Sequence, residues 1–561
     1  MSNSGIRTPG LARGGWARPR RCSNRGAGAL LVAVVSIALA SPAGAQLRRD
    51  STVDWLASAN SDAERYLRAL QLVGASPLYP WSLRAFSTEE LQTLAPADTL
   101  HPWGSPLSAP RRASRFRIIA PEVGAIFNSR VPYGSNDGPL WAGRGLTTTL
   151  TFGARAAFGP FDLIVAPQLF RSANADFPLA PNGQTGRLAF ADARNTTIDE
   201  PQRFGAAAYQ RFDLGQSTAR VTLLGATAGV STANEFWGPA VEEPFLLGNN
   251  APGFRHLFFG TARPVGFGGV SLHVRAIAGK LVQSDYAITD MVGRGRYLSG
   301  LVGIVTVRQL PGFEFGGGRL FHNIFADSTV TFRKVLRPVF QALLKDRLAA
   351  ELGTATGDEP DNQLASLFAR WVFPESGFEM YGEYGREDNA FDLRDLGVEP
   401  DHDAAVVVGF QKAWKRSHDR LVVLRSEIFN ARLSHLDPVR LEAVPYIHTP
   451  IVQGHTNLGQ ILGAPDLRGG GGQSLALETY TSHGHATLEY SHALRGQLLF
   501  GERRPGLSPF DVTHALRFED TMFLGRLDFV RGVTAAYELN RDFTGNDVFN
   551  LRVTAALRGH W

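Results

Sequence analysis

The sequence predicts an all-β transmembrane antiparallel barrel of about 16–18 strands, with a small N-terminal α-helical segment on the periplasmic side. Three observations carry this. The chain ends in a long strand of period two, it begins with an export leader, and beyond that leader it holds no apolar run of eighteen residues. A membrane helix needs roughly 20 such residues, so strands are left to do the crossing.

The closing strand is read back from Trp561. Gly559, Leu557, Ala555, Val553, Leu551 and Phe549 are apolar or small, whereas His560, Arg558, Arg552 and Asn550 fall between them. Alternation of this kind gives one face to lipid and the other to a lumen. A strand that ends the chain in an aromatic residue is also what an outer-membrane barrel is expected to present to the barrel assembly machinery.

The leader occupies residues 1–45. Arg7, Arg13, Arg18, Arg20, Arg21 and Arg25 stand without an acidic neighbour, Ala27 to Ala40 is apolar, and Ala43-Gly44-Ala45 offers a cleavage site. This is the pattern of a secretory signal peptide, too short in its apolar part to be an anchor. The flanks of Arg20-Arg21 do not support twin-arginine export. With the leader removed, the 57 basic residues fall by six to 51 against 52 acidic ones, a net charge of −1. The mature chain therefore has no charge basis for binding nucleic acid. Its one cysteine, Cys22, lies in the leader, which excludes disulfides, thiolate metal sites and thiol catalysis from the mature protein.

Residues 46–110 read as helical. Ser61-Asp62-Ala63-Glu64 and Ser87-Thr88-Glu89-Glu90 are capping-box patterns. Tyr66, Leu67, Leu70 and Val73 follow the first on one helical face, and Leu91 and Leu94 follow the second. Gly74, Pro77 and Pro96 supply the stops. From about Arg115 the period changes to two, so residues 111–561 form the barrel. Leu146, Leu150, Phe152 and Phe158 alternate with Thr147, Thr149, Thr151 and Arg155, then Gly159-Pro160 turns the chain into Phe161, Leu163, Val165 and Leu169. Similar runs recur to the end, one of them read as unbroken from 523 to 540. One segment departs from the pattern: Leu336, Val339, Phe340, Leu343 and Leu344 have helical spacing, with Pro338 in the first turn. An amphipathic helix here is expected in an external loop or as a lumen plug.

Several short stretches are more specific. Glu235-Phe236-Trp237-Gly238-Pro239 and Leu247-Gly248-Asn249-Asn250-Ala251-Pro252 are followed by Asp361-Asn362-Gln363, Tyr381-Gly382-Glu383-Tyr384 and Gly459-Gln460-Ile461-Leu462-Gly463. In this order, behind a helical segment, they resemble the Wzi-type capsule assembly outer-membrane family across essentially the whole mature chain. Phe236 stands where a second Trp is common in that family, and residues 464–473 diverge from it. The resemblance implies an occluded barrel that associates with capsular or other surface polysaccharide in a lectin-like, non-catalytic role. Candidate sugar-binding residues are Glu235, Trp237, Asn249, Asn250, Tyr381 and Glu383. Trp and Tyr can stack on sugar rings, and the carboxylates and amides can bond hydroxyls. The blander reading makes Trp237 and Tyr381 rim or girdle aromatics.

Glu379, Tyr381 and Glu383 share a strand face, which the cost of charge toward lipid assigns to the lumen. His483, His485 and His492 do not make up a metal site, and no cofactor is expected. Neither a phosphate loop nor a nucleophile elbow is present, so the chain is read as non-enzymatic. The competing function is a porin-like channel for small solutes. An outer-membrane hydrolase is a third reading, for which no Ser/His or Asp/His cluster stands out.

Overall fold

Period-two segments joined by tight turns pair with their neighbours, and here they close on themselves. The computed structural model describes residues 60–96, 100–104, 116–194, 198–288, 295–324, 336–341, 343, 361–387, 392–434, 440–448, 451–496 and 508–559. The leader, Trp561 and most of the segment beyond Leu343 lie outside these. The barrel has 18 antiparallel strands, at the upper end of the expected range. The first four are β1 (Phe116–Asn128), β2 (Gly145–Phe158), β3 (Phe161–Val165, resuming at Gln168–Ser172) and β4 (Tyr209–Asp213, resuming at Thr218–Leu223). Next come β5 (Ala226–Ser231), β6 (Arg255–Thr261, resuming at Val265–Phe267), β7 (Val270–Leu281), β8 (Arg296–Val307) and β9 (Phe313–Ile324). Then follow β10 (Asp361–Phe373), β11 (Phe378–Glu387), β12 (Ala404–Ser417), β13 (Arg420–Asn430) and β14 (Gly470–Thr481). The circuit ends with β15 (Gly484–Gly496), β16 (Phe510–Leu524), β17 (Leu527–Arg541) and β18 (Asn546–Gly559).

The last strand pairs with the first, from Glu122 opposite Arg558 to Asn128 opposite Arg552. Among the described residues the barrel sheet has no free edge strand, as a bilayer requires. Outward positions form an apolar belt: Leu146, Phe152, Phe259, Met380, Phe549 and Leu557 are all exposed. Inward positions on the same strands are polar and buried, among them Glu314, Glu379, Arg425, Glu478 and Asn550. The lipid and lumen faces of the closing strand and of the Glu379–Glu383 run are thus the ones their alternation predicts. The 523–540 run is in fact two strands, divided by a turn at Gly525.

The tight turns lie at one end of the barrel and the long connections at the other, except that the four-residue turn 542–545 joins β17 to β18 at the loop end. At Leu224-Gly225 the turn requires φ of +52° and +81°, the left-handed geometry that matches strand twist. Barrels of this kind place short turns toward the periplasm and long loops outside.

Two capped helices precede the barrel: α1 (Asp62–Leu72) and α2 (Thr88–Leu94). The Ser87–Glu90 capping box is complete in both directions. At α1 the Ser61 hydroxyl accepts from Glu64 N–H, but the Glu64 carboxylate accepts from Asn60 N–H rather than from the cap itself. Both helices sit in the turn end of the lumen. Tyr66, Leu67, Trp81 and Trp103 pack there against Leu421, Val423 and Tyr480 of the wall.

The third helical segment falls on the loop-end connection between β9 and β10 and is not a lumen plug. Only α3 (Arg337–Phe340) is described, and it lies against the outer wall rather than in the lumen. Arg319, outward-facing on β9, donates to the Gln341 carbonyl at 2.8 Å, and Arg337 donates to Asn323 Oδ1 at 2.8 Å. The strap covers polar outward groups that lipid would otherwise meet, and turns its own Val339 and Phe340 away from the wall.

Candidate functional site: the filled lumen

An 18-strand circuit encloses far more space than wall side chains alone can fill. Here it is filled from both ends. The N-terminal segment enters from the turn end and residues 232–254 enter from the loop end. They meet as a two-stranded ribbon in which Leu83 pairs with Trp237 and Arg84 with Phe236. Trp237, Phe245, Leu246 and Leu247 then form an apolar core with Ile277, Val302, Leu320 and Phe368 of the wall.

Fixed charges anchor this plug. Glu427 of β13 accepts from three successive backbone N–H groups, Val241 at 2.8 Å, Glu242 at 3.1 Å and Glu243 at 2.7 Å. It also accepts from the Tyr381 hydroxyl at 2.7 Å. Arg68 of α1 bridges Glu379 of the wall and the Pro239 carbonyl, at 2.8 and 2.9 Å. Arg84 lies 3.5 Å above the Phe236 ring and pairs with Glu64 at 3.3 Å. Arg425 holds Glu242, Glu478 and Glu489 at 3.1, 3.3 and 2.9 Å. Burial alone would raise the Glu242 carboxyl, but Arg425, Arg65 and Arg517 outweigh it and hold it at about 2.

Each sequence-predicted site residue has a definite place in this assembly. Glu235 receives bonds from Arg275 at 3.0 Å and from the Trp237 indole at 3.2 Å. Burial would raise its carboxyl, yet Arg275 and His256 hold it down at about 2. Trp237 is fully buried. Asn249 donates to Asn136 O at 3.0 Å, and Asn250 donates to Ile461 O at 2.9 Å. These two tie together the loops at 129–144, 232–254 and 451–469. Tyr381 is buried on Glu427, and Glu383 lies against Gly238, whose φ of +102° and lack of a Cβ allow that approach. Five of the six are buried and Asn249 is half-buried. In this conformation protein groups, not solvent-facing space, surround them.

Sequence reading missed the partners. Glu427 and Arg425 were visible as polar positions in a period-two run, but nothing local marks a wall carboxylate as a dock for another segment. At the turn end, Asp62 pairs with His485 at 3.4 Å, and each of Asp62, His485 and Glu519 brings a ligand-type atom within 4.8 Å of the others. Arg558, 3.8 Å from Asp62, makes this a mixed-charge clamp on α1. His492 faces outward beside His514, away from His485, so the three histidines noted in the sequence do not converge.

At the loop end a second group appears that the sequence did not flag. Phe190 and Tyr286 meet edge to face at 5.9 Å, and Tyr286 continues into Phe204 at 6.0 Å and through it to Tyr209 and Trp141. Phe190 and Tyr286 are half-buried, with Gln184, Arg187 and Asp285 exposed nearby in the same two loops.

No protein-family model and no curated protein sequence matches the chain. Solved structures do. Wzi, an outer-membrane protein involved in group 1 capsule assembly in Escherichia coli and described as a carbohydrate-binding β-barrel, superposes with a TM-score of 0.59 at 12% identity, covering 90% of this chain and 99% of Wzi. OccAB3 of Acinetobacter baumannii matches at a TM-score of 0.38 and 9% identity, over 79% of this chain and 98% of that one. The chain is a closed antiparallel β-barrel with the fold of Wzi.

Proposed function

We propose that this chain helps assemble or attach capsular or other surface polysaccharide at the outer membrane, binding it in a lectin-like way and without catalysis. The filled lumen carries the reading. A plug knitted through the barrel by buried ion pairs suits a protein that works through its outer face, and it is poorly suited to diffusion of solutes. The likeness to Wzi supports the ligand class. The leader would take the chain to the periplasm, and the closing strand would engage the assembly machinery that inserts it among outer-membrane lipids.

On this reading the polysaccharide meets the loop-end face. Phe190 and Tyr286 supply stacking surface, and Gln184, Arg187 and Asp285 supply hydroxyl partners. Glu235, Trp237, Asn249, Asn250, Tyr381 and Glu383 act beneath that face as the anchors that hold its loops in place. The test is to delete the gene and measure cell-bound against released polysaccharide, restoring with wild type or with F190A/Y286A. Deletion should shift polymer from cells to medium, and the double variant should fail to restore it. Unchanged partitioning after deletion would sink the proposal.

A further inference from the structure

The outer wall carries a feature that the lumen does not explain. Arg255 on β6 and Lys280 on β7 are directly opposite in register. Both are exposed, and both belong to the outward set, with Leu257 and Phe259 next on the same face of β6 and Ala278 and Ala276 opposite them. They stand at the loop ends of their strands, where the belt meets the outer headgroup region. Side chains directly opposite in an antiparallel pair are about 5 Å apart at Cβ, and like charges there repel. Among the described residues neither cation has a carboxylate partner in an ion pair.

The surroundings show what would relieve that repulsion. Toward the turn end the same face is apolar, with Leu257 61% and Phe259 63% exposed and Val230 opposite Leu257. On the other side Lys280 is opposite Tyr297. Tyr297 is buried although it points outward, because the α3 strap lies over β8 and β9. The strap's Val339 and Phe340 stand exposed as an apolar ridge beside it. Two cations above an apolar face, bounded on one side by an apolar ridge, match an amphiphile in charge and in polarity.

We propose that Arg255 and Lys280 form a binding site for the phosphate of an outer-leaflet lipid, a phosphorylated glycolipid whose acyl chains lie along Leu257 and Phe259. A phosphate between the two turns a repulsive pair into charge-assisted hydrogen bonds, with Arg255 able to make two in parallel. The site is independent of any polysaccharide function.

The experiment uses purified full-length protein in detergent, titrated with bisphosphorylated lipid A and read by native mass spectrometry. Wild type should bind, and R255Q/K280Q should bind at least about tenfold more weakly, the loss expected for charge-assisted bonds. R255K/K280R should keep most of the affinity. R171Q should match wild type, since Arg171 is an outward rim cation opposite Gln210 rather than another cation. Dephosphorylated lipid A should bind wild type as weakly as the double variant binds the intact lipid, a comparison that needs no variant to fold. Equal binding of the two lipids by wild type, or by wild type and a heat-modifiable (folded) R255Q/K280Q, would overturn the site. Full competition by millimolar inorganic phosphate would show an anion site without the lipid and overturn the proposal as stated.

Discussion

At the scale of single residues, the plug distinguishes anchoring from binding. Glu427 is the acceptor for three main-chain N–H groups and the Tyr381 hydroxyl. Glu427→Ala leaves four donors without an acceptor, two of them buried, which should cost about 3–5 kcal/mol. Glu427→Gln keeps one oxygen and should cost roughly half of that, and Tyr381→Phe about 1 kcal/mol. Trp237→Ala empties the centre of the core and should cost about 3–5 kcal/mol. Urea midpoints of the detergent-solubilised protein check these values. F190A/Y286A should leave the midpoint within about 0.5 kcal/mol of wild type while abolishing retention of polysaccharide on cells. If F190A/Y286A retained polysaccharide normally and W237A lost it with an unchanged midpoint, the division between loop-end contacts and buried anchors would be reversed.

At the scale of elements, the plug segments should respond to acid in two stages. His455, on the loop that reaches the lumen near Leu246, donates from Nε2 to the Leu246 carbonyl at 2.5 Å, so its Nδ1 accepts from His322 Nε2 at 2.7 Å. That tautomer leaves no room for a second proton, and burial lowers His455 to about 4. A group held below its unfolded pKa of 6.5 takes up fewer protons folded than unfolded, so stability falls as pH drops from about 6.5 to 4. The loss reaches about 3 kcal/mol at one pKa unit per 1.4 kcal/mol. Glu90, held to about 2 by its bond to His273 against the pull of burial, and Glu235 contribute stability above about 4.5 that disappears as pH falls toward 2. Urea midpoints between pH 7.5 and 3 should therefore fall first through a histidine step, smaller in His455→Gln, and then through a carboxylate step. A flat profile from 7.5 to 4.5 in wild type would refute the histidine stage. How much of these elements could be read in advance followed the range of the forces. The Gly145–Leu169 hairpin, the closing strand and the Ser87 cap depend on neighbours a few residues away, and all were legible. The strand at Phe313–Ile324 was not, because Gly316, Gly317 and Gly318 interrupt its alternation. A Cβ at Gly318 would strike Leu246, and one at Gly300 would strike Leu320 and Trp237. The plug thus removes side chains from the wall that faces it and erases the local signal. Arg68 and Glu379, 311 residues apart, are beyond any local pattern. The same holds for the strap, whose partner Arg319 lies on another strand.

At the scale of the molecule, the question is what an 18-strand wall does when its contents are loosened. Barrels of 16–18 strands without a plug carry an aqueous channel, so the wall seen here is porin-sized and the plug alone separates the two behaviours. That plug is part of the same chain, joined at a ribbon in mid-lumen and pinned by Glu427, Arg68, Arg84 and Arg425 from separate directions. Cutting one pin leaves the others, so single variants should stay closed at neutral pH. Combining losses from both halves should not. In planar bilayers wild type should show no large steady openings at pH 7.5, and Arg68→Ala and Glu427→Ala should each show rare, brief events. Arg68→Ala/Glu427→Ala should open frequently, because it frees residues 238–243 at both the Pro239 carbonyl and the 241–243 amides. The strand ladders lose no backbone hydrogen bond in this variant, so heat-modifiable mobility should persist and show that the wall is intact. Large steady wild-type conductance would favour the porin reading over polysaccharide attachment. A silent double variant with a folded wall would mean that the apolar core around Trp237 closes the barrel without the charges.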